Sequence, residues 1–128
     1  MTTDWIAQAV VLAIHDEQLA EHGGSPGLRD AGLLESALAR PKNLAAYGDP
    51  DIAALAAAYA FGIAKNHPFV DGNKRTSAVI SRLFLRLNGY DVTASEAERL
   101  RVWLALAAGQ IDEETLVNWF RSNIRPTS

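Results

Sequence analysis

Residues 51–87 read DIAALAAAYAFGIAKNHPFVDGNKRTSAVISRLFLRL, and the fold follows from how this stretch changes character. Asp51 to about Lys65 is rich in alanine and apolar on nearly every side, with Ile52, Leu55, Tyr59, Phe61 and Ile63. That pattern predicts a helix, and a helix without a polar face lies at the centre of a bundle. A second helix is predicted from roughly Lys74 to Leu87, where Val79, Ile80, Leu83, Phe84, Leu85 and Leu87 recur, with Asn88-Gly89 as its stop. Between the two stands the nine-residue segment His67-Pro68-Phe69-Val70-Asp71-Gly72-Asn73-Lys74-Arg75, polar where its flanks are apolar. Buried backbone needs hydrogen-bond partners, so a polar loop joining two central helices is expected to line a pocket.

The remaining chain supplies helices to pack around this pair. Asp4 to about Glu21 repeats Trp5, Ile6, Ala9, Val10, Leu12, Ala13 and Leu19 at three- and four-residue spacing, with Asp4 placed to cap and Gly23-Gly24-Ser25-Pro26-Gly27 to end it. A helix is predicted over Asp30–Ala39 with Leu33, Leu34, Ala37 and Leu38 inward, stopped by Pro41. Pro41 to Asp51, with Tyr47-Gly48-Asp49-Pro50, reads as a turn or flap. Tyr90-Asp91-Val92 reads as a short extended piece. Ser95 with Glu98 resembles a capping box opening a helix to about Ala108, Gly109 ends it, and Asp112 opens a last helix through Leu116, Trp119 and Phe120. The expectation is an all-α, compact bundle of about six helices, one domain over 1–128, with the loop between two central helices.

Composition narrows the chemistry. The 128 residues are 48% hydrophobic and 21% charged, ordinary for a globular chain. There is no cysteine, which removes disulfides, thiolate nucleophiles and Cys-based zinc sites. The formal net charge of −3 argues against direct DNA binding, which calls for a basic surface, while leaving room for a local cationic pocket. No apolar run approaches the about 20 residues of a membrane span. Met1-Thr2-Thr3-Asp4 lacks the basic region and apolar stretch of a signal sequence, so a cytoplasmic location is expected. His15 and His22, seven residues apart, are expected to be surface or cap residues rather than metal ligands. Arg82 and Arg86 read first as an exposed helix face. The three tryptophans, by their helical phase, are expected in the core.

Within the polar segment each side chain has a use in handling phosphate. Gly72 permits a sharp turn and a close backbone approach to a ligand. Asn73, Lys74 and Arg75 open a helix, where free N–H groups and the dipole favour an anion. Lys74 adds a point charge and Arg75 a planar fork. Asp71 is a hard oxygen donor suited to Mg²⁺, which takes one or two carboxylates plus substrate phosphates. His67 is a general-base candidate able to work near neutral pH. Phe69 and Val70 are expected to anchor the loop on the core. Taken singly, Asp71-Gly72-Asn73 is also ordinary turn and capping chemistry and His67 an ordinary structural histidine; the combination within nine residues favours the site. The Gly-x-x-x-x-Gly-Lys-Ser/Thr spacing of a Walker loop is absent.

The segment resembles the Fic/Doc superfamily. Fic members carry His-Pro-Phe-x-Asp/Glu-Gly-Asn-Gly-Arg, whereas the Doc (death-on-curing) branch carries His-x-Phe-x-Asp/Asn-Ala/Gly-Asn-Lys-Arg. The sequence fits the Doc form at each defined position, and Lys74 is its departure from the Fic form. Ile14-His15-Asp16, Gly23 to Leu28, and Leu83 to Gly89 are similar to Doc proteins as well. The resemblance implies a helical Fic-type bundle, with His67 as base, Asp71 as Mg²⁺ ligand, Asn73 as anion-hole donor, and Gly72, Lys74 and Arg75 at the phosphates of ATP. It implies transfer of the γ-phosphate to a threonine or serine hydroxyl, with elongation factor Tu as target and translation blocked. The first alternative is Fic-type AMP transfer to a protein hydroxyl; the second is an inactive helical binding module. The self-inhibitory Ser/Thr-x-x-x-Glu-Gly/Asn motif of some Fic proteins has no match here. The resemblance therefore implies a toxin restrained in trans by a cognate antitoxin whose C-terminal segment binds a groove, with Pro41–Asp51 and small-residue helix faces as candidate walls.

Overall fold

The computed structural model describes residues 2–127. Helix α3 (Ile52–Asn66) forms the axis: Ala53, Leu55, Ala56, Ala57, Ala58, Tyr59, Ala60, Gly62 and Ile63 are all buried along it. So many alanines, with Gly62, let neighbouring helices approach closely. A Cβ on Gly62 would stand 3.3 Å from the Cα of Ala37 on α2 (Ala31–Tyr47). Around α3 pack α2, α4 (Asn73–Leu87) and α6 (Glu113–Ser122), while α1 (Gln8–His22) lies against α4 and α5 (Glu96–Ala107) touches both central helices. Asp51, Ser95 and Asp112 each accept a hydrogen bond from the main-chain N–H three residues on, at 2.8–3.2 Å, and so fix the starts of α3, α5 and α6. Trp103, Trp119 and Phe120 meet edge to face at centroid separations of 5.2–5.7 Å, joining α5 to α6 within the core.

Three local readings of the sequence need correction, and one that holds, the extended Tyr90–Val92, needs extension. α1 begins at Gln8 and Asp4 does not cap it. Residues 4–6 stay outside the helix because other groups satisfy their backbone: Asn88 bonds the N–H and C=O of Asp4 at 2.9 and 3.0 Å, and Ile6 N–H donates to the Tyr59 hydroxyl at 3.1 Å. Second, Pro41 does not stop α2, which continues to Tyr47 and leaves only a short link before α3. A proline inside a helix costs about 3 kcal/mol through its missing N–H and its clash with the preceding turn. Here Leu34, Ala37, Leu38 and Pro41 form the buried stripe of α2, packed against α3, and that burial outweighs the loss. The expected flap at 41–51 is therefore mostly helix. Third, the extended Tyr90–Val92 (β1) has a partner that periodicity did not show, Ile124–Pro126 (β2), paired antiparallel with Val92 opposite Ile124. Fourth, Val70 is 49% exposed and does not anchor the loop; Phe69, 1% exposed, does. No helix among the described residues is long and apolar enough to cross a membrane.

Candidate active site

The nine-residue segment spans the gap between the C-terminus of α3 and the N-terminus of α4. His67 closes α3 as its left-handed cap (φ 53°), its N–H donating to the Ile63 carbonyl at 3.1 Å. A non-glycine residue in that conformation costs about 1–2 kcal/mol, so something must hold it. Arg29, just before α2, does so: Nε donates to the His67 carbonyl at 2.7 Å and a terminal nitrogen to the Asn66 carbonyl at 2.9 Å. The backbone of 27–30 also lies alongside the loop, with Val70 N–H donating to the Gly27 carbonyl at 3.0 Å and Arg29 N–H to the Pro68 carbonyl at 2.7 Å. Held this way, the His67 side chain stands exposed to solvent.

Past His67 the loop is tied down from within. The Phe69 ring is buried, and the Asn73 side chain grips its main chain twice, accepting from the Phe69 N–H and donating to the Phe69 carbonyl, both at 2.9 Å. Asn73 is itself 4% exposed. Its amide group is thus spent on the loop, and the donor it can offer an anion is its main-chain N–H. Gly72 (φ 79°) makes the turn into α4, and helical bonding begins with Thr76 N–H to the Gly72 carbonyl at 2.9 Å. The amides of Asn73, Lys74 and Arg75 precede that first bond, as at any helix start, and with the dipole they form an anion cradle.

Asp71 sits at the edge of this cradle. Its Oδ2 accepts from Ser25 N–H at 3.1 Å and its Oδ1 from Gly72 N–H at 2.8 Å. Those two bonds, Ser25 first, hold its carboxyl below the usual range, with smaller help from Arg75 and His15. The group is an ionised, solvent-facing carboxylate with lone pairs to spare, and it fits a hard cation. No cluster of three or more His, Asp or Glu ligands occurs among the described residues. A Mg²⁺ ion held by one carboxylate and completed by nucleotide phosphates needs none.

These groups come together. His67, Asp71, Gly72, Asn73, Lys74, Arg75 and Ala107 of α5 line one open cavity of about 240 Å³. A second cavity, about 310 Å³, continues from Lys74 and Arg75 as a groove between α4 and α5 over Val79, Leu100 and Trp103, with Arg82 and Arg99 on its wall. A third, about 750 Å³, shares His67 and Ala107 with the first, lies between α3 and the α5–α6 turn, and reaches Lys65, Gln110 and Thr115. Arg82 and Arg86 are not a free basic edge: both pair with Asp91, Nε to carboxylate at 2.9 and 3.3 Å.

Sequence reading missed three contributors. Gly24, read as part of a helix stop and of the Doc-like stretch but given no role at the site, allows the approach to Asp71, since a Cβ there would lie 2.9 Å from Asp71 Oδ2. Arg29 drew no attention, because an arginine in a loop carries no local signal. His15, expected at the surface, is 3% exposed and packed beneath the loop, its ring stacked on Phe69 at 3.7 Å and its Nε2 2.8 Å from the Asp71 carbonyl. His22 does lie at the surface.

A helical bundle presenting an imidazole, a carboxylate and a helix-start anion cradle from one inter-helix loop defines the Fic-type class, and the chain belongs to it: the Fic/DOC family model matches residues 5–85. Among named relatives, the chain is 32% identical to the protein kinase doc of Escherichia phage P1 over 117 residues, covering 91% of this chain and 92% of that protein. It is 43% identical to the toxin Doc of Mycolicibacterium smegmatis over 75 residues, covering 56% of this chain and 57% of that one.

Proposed function

We propose that this protein is a Doc-type toxin that transfers the γ-phosphate of ATP to a serine or threonine hydroxyl of a protein target, with elongation factor Tu as the target and arrest of translation as the outcome. One observation carries the reading: the His67 imidazole, the Asp71 carboxylate and the free amides of Asn73–Arg75 line a single cavity. Phosphoryl transfer asks a protein chiefly for positioning and charge stabilisation, and these groups supply both. His67 takes the hydroxyl proton as the new oxygen–phosphorus bond forms and the bond to the bridging oxygen of ADP breaks. The Asn73–Arg75 amides, Lys74 and Arg75 bear the phosphate charge. Asp71 would hold Mg²⁺, which supplies further charge neutralisation on the phosphate oxygens. The largely apolar groove between α4 and α5 begins at Lys74 and Arg75, so a nucleotide presenting its terminal phosphorus at His67 can lay its remainder there.

AMP transfer is the second reading, and the larger cavity that also borders His67 favours it, because a nucleotide presenting its α-phosphorus needs room for the nucleoside beside the base. The two separate cleanly. With ATP labelled at either the α or the γ position, Mg²⁺ and a cell lysate, γ transfer alone supports the kinase and α transfer the alternative. His67→Ala should reduce transfer at least about 10²-fold, the lower bound for a general base, with an unchanged melting curve; near-normal transfer by that variant defeats both readings.

Regulation in trans by a cognate antitoxin completes the proposal. The segment 41–51 is helix as far as Tyr47, and Asn43, Leu44, Tyr47 and Gly48 line an open cavity of about 390 Å³ that keeps it a candidate wall. The groove between α4 and α5, beside exposed Leu100 and Leu104, offers an apolar floor that a disordered segment can fill by folding as a helix. A segment seated there covers Lys74 and Arg75. Capture of the candidate antitoxin should weaken when Leu100 and Leu104 are both changed to Ser; unaltered capture excludes this groove.

A further inference from the structure

We infer that His15 of α1 is a positioning residue for the active-site loop, setting the Asp71–Gly72 peptide through one directed hydrogen bond. The inference deepens the proposed function, resting on Asp71 and the α4 amides as the phosphate-handling groups. Three observations converge on it. His15 Nε2 stands 2.8 Å from the Asp71 carbonyl oxygen; a carbonyl only accepts, so Nε2 carries the hydrogen and the tautomer is fixed. The ring lies flat on Phe69, 3.7 Å between centroids at 9°. The same nitrogen lies 3.6 Å from where a Gly72 Cβ would project, so the imidazole fills the space under the turn. Nearby, Arg75 donates to the Gln18 carbonyl at 3.3 Å, tying the start of α4 to α1 as well.

The consequence is directional. The Asp71 side chain is held by Ser25 and Gly72 N–H groups on one side, and its own carbonyl by His15 on the other. Rotating the Asp71–Gly72 peptide would break the Gly72 N–H bond to Oδ1 and swing the carboxylate away from the cradle. Phe69, between Asn73's double grip and the His15 ring, passes the same constraint to the loop's other end. A histidine retained only to fill space would need the ring alone; here the ring nitrogen is also used.

The test separates ring from nitrogen. His15→Phe keeps an aromatic ring against Phe69 and removes the donor; His15→Gln keeps an amide donor able to reach the carbonyl and removes the ring. Steady-state transfer, thermal melting and amide hydrogen exchange are measured on the full chain. The expected result for His15→Phe is a kcat lowered about 10-fold or more with the KM for the protein acceptor within about twofold, the melting midpoint lowered by only a few degrees so that the fold is intact at the assay temperature, and faster exchange confined to residues 69–73. His15→Gln should recover at least a third of the lost kcat and much of the protection. Wild-type kcat and protection in His15→Phe overturn the inference. So does loss of activity in both variants without recovery in Gln, or loss that follows the melting curve. Hydrogen exchange does not depend on the reaction, so an absence of γ-transfer by the wild-type protein would defeat the proposed function while leaving the positioning claim to be decided by residues 69–73.

Discussion

Replacing Asn73 by Ala removes one short side chain from a buried place, and the structure says what is left behind. Phe69, 1% exposed, loses the acceptor for its N–H and the donor to its carbonyl, both at 2.9 Å. A buried backbone group without a partner costs about 1–3 kcal/mol. Two such groups, with some water entering the space vacated, place the loss at about 2–4 kcal/mol. At about 2.1 cal/mol/K of unfolding entropy per residue, 1 kcal/mol moves the midpoint of a chain this long by about 4 °C, so Asn73→Ala should melt about 8–16 °C low. Urea unfolding followed by the fluorescence of Trp5, Trp103 and Trp119 gives the free energy directly. Asn73→Leu is the control: it refills the volume and restores neither bond, so it should remain as destabilised as the alanine variant. A loss below about 0.5 kcal/mol in Asn73→Ala, or rescue by leucine, would refute the claim that hydrogen bonding by this side chain, rather than its bulk, closes the loop.

Other outcomes follow from the same geometry. Gly24→Ala places a Cβ 2.8 Å from Leu19 Cδ2 and 2.9 Å from Asp71 Oδ2 at φ 127°; it should lower transfer about 10-fold and the melting midpoint by several degrees. Gly23→Ala, with nothing within 4 Å at φ 78°, should cost only its backbone strain; equal effects of the two on transfer would contradict the clash with Asp71. Arg29→Ala strips two bonds from the carbonyls ending α3 and should cost about 1–3 kcal/mol in urea unfolding, since each joins a charged donor. Asp51, bonded by Arg121, and Asp91, bonded by Arg82, are both held below the ordinary carboxylate value of 3.8, as is Asp112 through Thr115. Lowered folded-state values mean that stability is full above that value and drains as the pH falls through the folded values. Urea midpoints should therefore be nearly level from pH 7 to about 5 and drop below about 4; a midpoint unchanged at about pH 3 would show that these pairs contribute nothing.

The central pair of helices was legible because α3 is apolar all round and α4 carries its own start and stop. Each signal is local, and the observed ends differ from the expected ones by no more than one residue. The capping residues Asp51, Ser95 and Asp112 were readable for the same reason. Pro41 was misread because its local rule is sound and was overridden by burial against α3, a fact held in the tertiary packing and not in the neighbouring sequence. The β1–β2 pair joins segments more than thirty residues apart, and three-residue strands are too short for an alternating pattern to register. His15 was misread in a different way. Helical phase put it on a face with His22, yet α1 turns that face's N-terminal half toward the loop, and only assembled α1, α3 and α4 show a buried imidazole where a solvated one was expected.

That arrangement resolves an electrostatic conflict built into the site. On the proposed function the nucleotide is polyanionic, and the loop joins two helix ends of opposite character: the carbonyls ending α3 repel phosphate, and the amides beginning α4 attract it. The proposed base, His67, stands at the first and the proposed phosphate site at the second, only a few residues apart. Arg29 offsets the unfavourable end by donating to two of its carbonyls, Asn66 and His67. Asp71, the other negative group, has each of its oxygens bonded by a main-chain N–H, which spreads its charge and keeps it aimed outward to a cation. Lys74 and Arg75 then add their charge at the end where the dipole already favours it. The side chains that make this workable, His15 on α1 and Arg29 ahead of α2, come from outside the nine-residue segment. A motif transplanted onto another helix pair without them would keep its residues and lose the conformation that brings His67 and the α4 amides to one cavity.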